Sequence, residues 1–544
     1  MGVGLSLAAL LRLLVPARWR LGPELAIGVA LGALALALPL HAPIASVGPG
    51  PVRVRLLAAP QPSVGGCRLL LWIHGETRGR GIVSAPASTC DWLPGQHALA
   101  RLRLGQLRPR TNPGGRDSAR HWRRRGVRVA GRIERGLIEP VRQPPSHPAA
   151  LLERARRRLT QAIDPEQSRS RAAAVLRAVV AGDRSQLTEP IRAVFRGSGT
   201  AHLLAVSGLH VGFVFLWVRL GMSAGLRVLP VLWWLRRARR ISVGAGILAA
   251  CAYAGLTGFG VPALRAIGMA FAGTLAVLGG RPASAWNGLM LAGLAVLVIE
   301  PASLFEPALG LSFAAVSGIL CWAPGRGFWS SLLGASAAAT LATAPLAVFL
   351  GLPLPAGALI ANAVAIPWFA GVVIPAGLVA AVLGAALPSA TGWAGPVVHA
   401  ATELGIRLIE ASGSPDLLRG YPSLNVTGIA AASLFGFALR ALWLRRPAGA
   451  VILAAGSLGV LGTGFLSASP VVRPEVLFLD VGHGDAIAIR GREETWLVDA
   501  GTAGAGFDAG RFRVAPALRA SGIRRLGAVV LTHVDRDHAG GIPA

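Results

Sequence analysis

The sequence predicts a polytopic α-helical membrane protein that carries a small β domain near its N-terminus and the opening part of an α/β domain at its C-terminus. Hydrophobic residues make up 53% of the 544 residues and charged residues only 15%, where a soluble chain carries about a quarter charged. The apolar residues cluster in runs long enough to cross a hydrocarbon core of roughly 30 Å. Two stretches, 47–148 and 469–544, break that texture with strand-like alternation. A purely soluble globular protein is excluded on composition alone.

Residues 1–46 read as N-terminal membrane segments, with a short apolar stretch, Arg18 and Arg20, and then a run from Glu24 to Leu40 that is long enough to span. The flanks lack the small-residue cleavage site of a signal peptide, and further apolar runs follow. In 47–148, Val52-Arg-Val-Arg-Leu-Leu, Cys67-Arg-Leu-Leu-Leu-Trp-Ile, Leu99-Ala-Arg-Leu-Arg-Leu and Gly126-Val-Arg-Val-Ala-Gly-Arg-Ile read as strands between Gly and Pro punctuation. Several short strands in so few residues suggest a small barrel or sandwich. Cys67 and Cys90 lie in this polar region. A disulfide between them requires an oxidising, extracytoplasmic compartment, and the sequence offers the pairing without its geometry.

The net charge is +29, and every position in the Lys-plus-Arg total of 54 is Arg. That bias reflects a codon preference as readily as phosphate binding, so placement is more informative than number. Arg108, Arg110, Arg116, Arg120, Arg123, Arg124, Arg125, Arg128 and Arg132 crowd one stretch around Trp122. A basic surface with an interleaved aromatic suits a nucleic-acid backbone; a solvated loop is the plainer alternative.

Residues 149–200 read as an amphipathic helical segment, with Arg154, Arg156, Arg157 and Arg158 near its start, suited to lie along a membrane surface or to pack beside the first span. Residues 201–468 form a run of apolar stretches with roughly eight to ten crossings. Three Arg clusters flank spans: Arg18/Arg20, Arg236/Arg237/Arg239/Arg240 and Arg440/Arg445/Arg446. Placed on the cytoplasmic side by the positive-inside rule, they leave the β domain and the C-terminal segment outside. In 469–544, strands are expected at Glu475-Val-Leu-Phe-Leu-Asp-Val, Asp485-Ala-Ile-Ala-Ile-Arg, Thr495-Trp-Leu-Val-Asp and Gly527-Ala-Val-Val-Leu-Thr, the last leading into His533.

The motif His533-Val-Asp-Arg-Asp-His538 places two imidazoles and two carboxylates within six residues, after a strand. These are metal-ligand types at metal-ligand spacing. The motif resembles the His-x-His-x-Asp-His loop of metallo-β-lactamase-like hydrolases, with Asp535 where the second His usually stands. Asp499 resembles the strand-end Asp of that fold. The resemblance implies that His533, Asp535, Asp537 and His538 ligate a divalent metal, zinc or manganese, with Asp537 taking part in catalysis. The fold draws its remaining ligands from a second half, so the site is expected to be incomplete within this sequence.

The apolar region holds Gly199-Thr-Ala-His-Leu-Leu-Ala-Val-Ser-Gly-Leu-His-Val-Gly212, with His202, Ser207 and His210 in apolar surroundings, and Val261-Pro-Ala-Leu-Arg-Ala with Arg265 beside a Gly/Pro break. Ionisable groups in a span are costly and mark function by default; an Arg holding helices together is the alternative. With Val179-Val-Ala-Gly-Asp-Arg184, Leu256-Thr-Gly-Phe, Leu311-Ser-Phe-Ala-Ala-Val, Asn362-Ala-Val-Ala-Ile-Pro and Phe478-Leu-Asp-Val-Gly-His-Gly-Asp485, these stretches resemble the ComEC family of competence DNA channels in order and spacing over almost the whole chain. His483 stands where the family usually has Gln, and Leu309-Gly-Leu replaces its Phe-Gln-Leu. The resemblance implies an extracytoplasmic OB-like β-barrel, a polytopic channel domain and a hydrolase-like domain on the outer side of the inner membrane. It further implies DNA held by the barrel arginines, a path lined by His202, Ser207, His210 and Arg265, and strand degradation at the His533–His538 cluster. A DNA receptor, a cytoplasmic DNA translocase and a second copy of the chain are the expected partners. The rival readings are a membrane-anchored hydrolase of another phosphoester and a transporter of another solute.

Overall fold

The computed structural model describes residues 51–412 and 474–542, apart from 64, 75–78, 108, 110–111, 115–117, 141–146, 165–169, 229–234, 279–283, 322–326, 351, 353–354, 356, 388, 390, 493, 505–506 and 524. The expected membrane segments of 1–46, the run at 449–467, the Arg18/Arg20 and Arg440/Arg445/Arg446 clusters, and Arg108, Arg110 and Arg116 lie outside the described residues. The chain divides into two compact units. One takes in 151–343 and 355–412, and the other takes in 51–150, 344–354 and 474–542.

The second unit opens with strands β1 (Val52–Leu56), β2 (Gln61–Ser63), β3 (Gly66–Ile73), β4 (Gly79–Pro86) and β5 (His97–Gln106), helix α1 (Ser118–Arg124) and strand β6 (Val127–Pro140). The order β1-β5-β6-β4-β3 closes on itself because β1 also pairs with β3, and β2 extends β3. This is a five-stranded barrel, which decides between the barrel and the sandwich that the alternation left open. Its register explains the burial: in β5, Ala98, Ala100 and Leu102 point inward while Leu99, Arg101 and Arg103 face out. The inward set joins Val54, Leu56, Leu69, Leu71, Ile73 and Val83 in one core. Strand β4 and helix α1 were not expected. β4 pairs antiparallel with β3 and parallel with β6. Cys67 and Cys90 form a disulfide with Cα atoms 5.5 Å apart, closing a separation of 23 residues.

The first unit begins within α2 (Pro148–Ile163) and continues through α3 (Arg171–Ala181), α4 (Glu189–Gly197), α5 (Gly208–Val228), α6 (Leu235–Leu256), α7 (Val261–Leu278), α8 (Ala285–Ile299), α9 (Pro307–Cys321) and α10 (Phe328–Phe349). After these come α11 (Ala358–Trp368), α12 (Ile374–Ala386) and α13 (Thr391–Ala411). The segment 149–200 is therefore three helices: the arginines read as its polar face, Arg154, Arg156, Arg157 and Arg158, lie on α2, and the middle helix is buried. Nine of the eleven residues of α3 are buried, as a helix surrounded by others must be. Its two arginines find carboxylates, Arg171 with Glu403 at 2.6 Å and Glu410 at 2.6 Å, and Arg177 with Asp183 at 2.9 Å. Gly182 ends α3 at φ +70, where the left-handed turn and the closeness of the Thr257 backbone favour glycine. The Tyr253 hydroxyl donates to Val180 O at 3.1 Å, tying α6 to the end of α3.

Two helical stretches among the described residues, Phe328–Ala347 and Ala358–Ala386, are long and apolar enough to cross a membrane, and four more apolar helices are shorter. Helices α5 and α6, of 21 and 22 residues, also reach the roughly 20 residues a crossing needs. Among the described residues, these stretches and the shorter apolar helices are what stands for the expected eight to ten crossings. Helices α11 and α12 are joined through a π-helical turn, Phe369–Val373.

The C-terminal part of the second unit places β7 (Glu475–Phe478), β8 (Ile487–Arg490), β9 (Thr495–Val498), helix α14 (Ala515–Ala520), β10 (Ala528–Val530) and the short helix α15 (Arg536–Ala539). The sheet order is β10-β9-β8-β7, with β10 and β9 parallel. All four expected strands form, with shorter bounds than the sequence suggested. One sheet face covers a core of Leu479, Val481, Leu497, Val514 and Leu518. This part also touches the barrel domain: the Asn112 side chain donates to Asp480 O at 3.0 Å and accepts from Asp480 N at 2.6 Å.

Candidate functional site

The metal-type cluster is assembled at the strand ends of the small sheet. Asp499 follows β9 with φ +54, a left-handed conformation costly for a residue with a Cβ. The buried carboxylate accepts from Thr532 N at 2.9 Å, from Thr532 Oγ1 at 2.6 Å and from His538 Nδ1 at 2.8 Å. Burial pushes this carboxyl up, but the two Thr532 hydrogen bonds and the His538 partner outweigh it and hold the group below the usual carboxylate range. His538 is raised in turn, first by its hydrogen bond to Asp499. With Nδ1 fixed by Asp499, His538 turns Nε2 toward Asp537, 3.8 Å away. His533 stacks beside it, with ring centroids 3.8 Å apart.

His533, Asp537 and His538 each offer a ligand atom, all within 4.8 Å of one another. Two imidazoles and a carboxylate, one imidazole oriented by a buried carboxylate behind it, fit a divalent metal. Asp535 stands apart from this trio. It occupies the N-cap of α15 and is 75% exposed, with Oδ2 3.6 Å from His533 Nε2.

The barrel's arginines are partly gathered. Arg120 and Arg123 are exposed on α1, Arg128 and Arg132 on the outer face of β6, and Arg124 and Arg125 are half-buried. Arg123 donates to Leu107 O at 2.7 Å. Trp122 is half-buried against Ile82, Leu107 and Val127, so it supports the helix more than it offers a free ring. Sequence reasoning missed Arg101 and Arg103. Arg103 lies directly opposite Arg132 in the β5–β6 ladder, a like-charge pair that an anion would relieve. The period-2 alternation of β5 was the available signal.

In the helical unit, Ser207 and His210 come together, with Ser207 Oγ 2.8 Å from His210 Nδ1. Arg265 approaches the same turn and holds Ser312, donating to its carbonyl at 2.6 Å and to its hydroxyl. His202 lies on the 3-10 turn Ala201–Leu204 and is exposed. Ser312 was not expected among these residues. Neither was Asn362, buried and donating to Ser336 Oγ at 3.1 Å.

Residues 179–447 match the family model described as competence protein, and residues 479–544 match that of the metallo-beta-lactamase superfamily. Competence protein ComA of Neisseria gonorrhoeae is 32% identical over 381 residues, 68% of this chain and 52% of the relative. ComE operon protein 3 of Bacillus subtilis is 24% identical over 67% of this chain and 48% of the relative. Recombination protein 2 of Haemophilus influenzae is 25% identical over 81% of this chain and 59% of the relative. The chain thus spans about half the length of the curated relatives it matches. No solved structure matches it.

Proposed function

The chain belongs to the ComEC family of competence proteins, and from that premise we propose that it carries transforming DNA, as a single strand, across the bacterial inner membrane. The observation that carries the reading is the convergence of Ser207, His210 and Arg265, from separate stretches of an apolar helical unit, on one turn. A mere anchor has no use for charged and polar groups held this way.

In this reading the barrel lies outside, in keeping with its disulfide, and its arginines take up the phosphate backbone, Arg120, Arg123, Arg128 and Arg132 with Arg101 and Arg103 beside them. Arg108, Arg110 and Arg116, outside the described residues, are proposed to bind DNA as well, and Arg124 and Arg125 to stand behind the exposed arginines. His202, with the Ser207 turn and Arg265, lines the path. His533, Asp537 and His538 hold a divalent metal, with Asp535 at the rim, and Asp499 keeps His538 in the ligating tautomer. A bound zinc or manganese would supply a water of lowered pKa for attack on a phosphodiester, with Asp537 as the catalytic carboxylate of the trio. An outer DNA receptor, an inner DNA translocase and a second copy of the chain are the partners this role calls for.

The test is uptake of end-labelled duplex DNA by a deletion strain, complemented with the gene or with Arg265→Ala. Label that resists external nuclease and reaches the cytoplasm as single strands should vanish on deletion and return with the wild-type gene alone. Unchanged label in the deletion strain would overturn the reading and leave a membrane-held hydrolase as the better account.

A further inference from the structure

The first turn of α5 brings a buried imidazole nitrogen without a hydrogen-bond partner close to a guanidinium that no carboxylate among the described residues pairs. Ser207 caps this 21-residue helix, its carbonyl accepting from Val211 N at 3.4 Å and its N–H donating to His210 Nδ1 at 3.1 Å. Nδ1 is therefore the bare nitrogen of a neutral ring, and the proton sits on Nε2. That Nε2 is buried, in a residue only 1% exposed, and has no hydrogen-bond partner.

Arg265 reaches the same turn from α7. Its Nη1 is committed to Ser312, while Nη2 lies 3.4 Å from where a Cβ on Gly208 would stand. Glycine at 208 is what allows the approach, since a side chain would meet Ala266 Cβ at 3.2 Å and press on the guanidinium. Among the described residues no carboxylate pairs with Arg265. A half-buried guanidinium at the positive end of a helix is unfavourable twice over, from the dipole and from the missing counter-charge. The first-turn amides of α5 add further donors that no intrahelical carbonyl can satisfy.

We propose that Gly208, His210 and Arg265 form a binding site for one phosphodiester anion. The amides of the first turn, His210 Nε2–H and the free edge of the guanidinium donate to it, and Ser312 holds the guanidinium in place. The identification of the anion as part of a passing strand rests on the transport reading; the anion chemistry rests on these residues alone.

The test uses the full chain in lipid nanodiscs and a labelled abasic deoxyribose-phosphate oligomer, which has phosphates and no bases. Affinity is followed between about 50 and about 200 mM salt, in a background where Arg120, Arg123, Arg124 and Arg128 are Gln. Arg265→Gln should lower the slope of log affinity against log salt by about 0.7, one phosphate contact on a single strand. Arg265→Lys should keep the slope. Gly208→Ala leaves every charge in place and should weaken binding about tenfold by displacing the guanidinium, so it serves where Arg265→Gln fails to fold. Wild-type slope in Arg265→Gln, or wild-type affinity in Gly208→Ala, overturns the site even if uptake depends on the gene. A lowered slope in a chain whose deletion leaves uptake unchanged keeps the anion site and removes DNA as its source.

Discussion

Replacing Cys67 and Cys90 together by alanine should loosen the barrel by an amount that follows from where the bridge sits. Cys67 is 1% exposed, within β3 and opposite Ala85 of β4. Cys90 follows the 3-10 turn Ala87–Thr89 that leaves β4. The bond staples that departing turn back onto the sheet and closes a separation of 23 residues. Chain entropy for a loop of that size gives about 3 kcal/mol at room temperature, or roughly a hundredfold in the ratio of open to closed barrel. Limited proteolysis of the full chain in detergent reads that ratio, because cleavage tracks the open population when closing is fast. The double variant should be cut in the barrel about a hundred times faster than wild type, and wild type in reductant should match it. Unchanged cleavage in both would refute the reasoning, since the loop would then be held by its packing alone.

Three further outcomes are expected. Asp499→Asn removes the carboxylate that orients His538, and zinc or manganese affinity in a chelator competition should fall ten- to a hundredfold; full affinity would show that His538 orients itself. Burial pushes the Asp183 carboxyl up, but hydrogen bonds from Ser185 and then Arg177 hold it below its usual value. Its contribution is therefore present above the ordinary carboxylate pKa of about 4 and lost as pH falls through the lowered value. Thermal midpoints from neutral pH down to about pH 3 should fall less in Asp183→Asn than in wild type. Tyr253→Phe leaves the buried Val180 carbonyl without its donor and should cost about 1–2 kcal/mol, a loss of a few degrees in Tm; an unchanged midpoint would mean that the bond contributes nothing net.

What could be read in advance was what is local. The barrel strands β3 and β5 carry their inward and outward faces in period-2 alternation, and the imidazoles and carboxylates of His533–His538 lie within one short loop. β4 escaped because Gly-Arg-Gly-Ile-Val-Ser-Ala-Pro is a poor strand on propensity, and it forms through pairing with β3 and β6. The burial of α3 was not visible, because its arginines Arg171 and Arg177 look like solvent-facing residues in sequence. Their partners Glu403, Glu410 and Asp183 become visible only in the packed unit. The meeting of Arg265 with Ser312 spans 47 residues of sequence, and no local pattern announces it.

The paired hydrogen bonds between the Asn112 side chain and the Asp480 backbone have a mechanical consequence. Each neutral hydrogen bond contributes on the order of 1 kcal/mol, so the pair is comparable to a few times thermal energy. Such a joint behaves as a dowel rather than a weld. It sets the rotation at which a barrel loop meets the start of the small sheet, because an amide side chain matches a peptide's donor and acceptor in one orientation only. It can also be withdrawn and reseated without disturbing either core. Each time the joint closes, the two parts return to the same alignment.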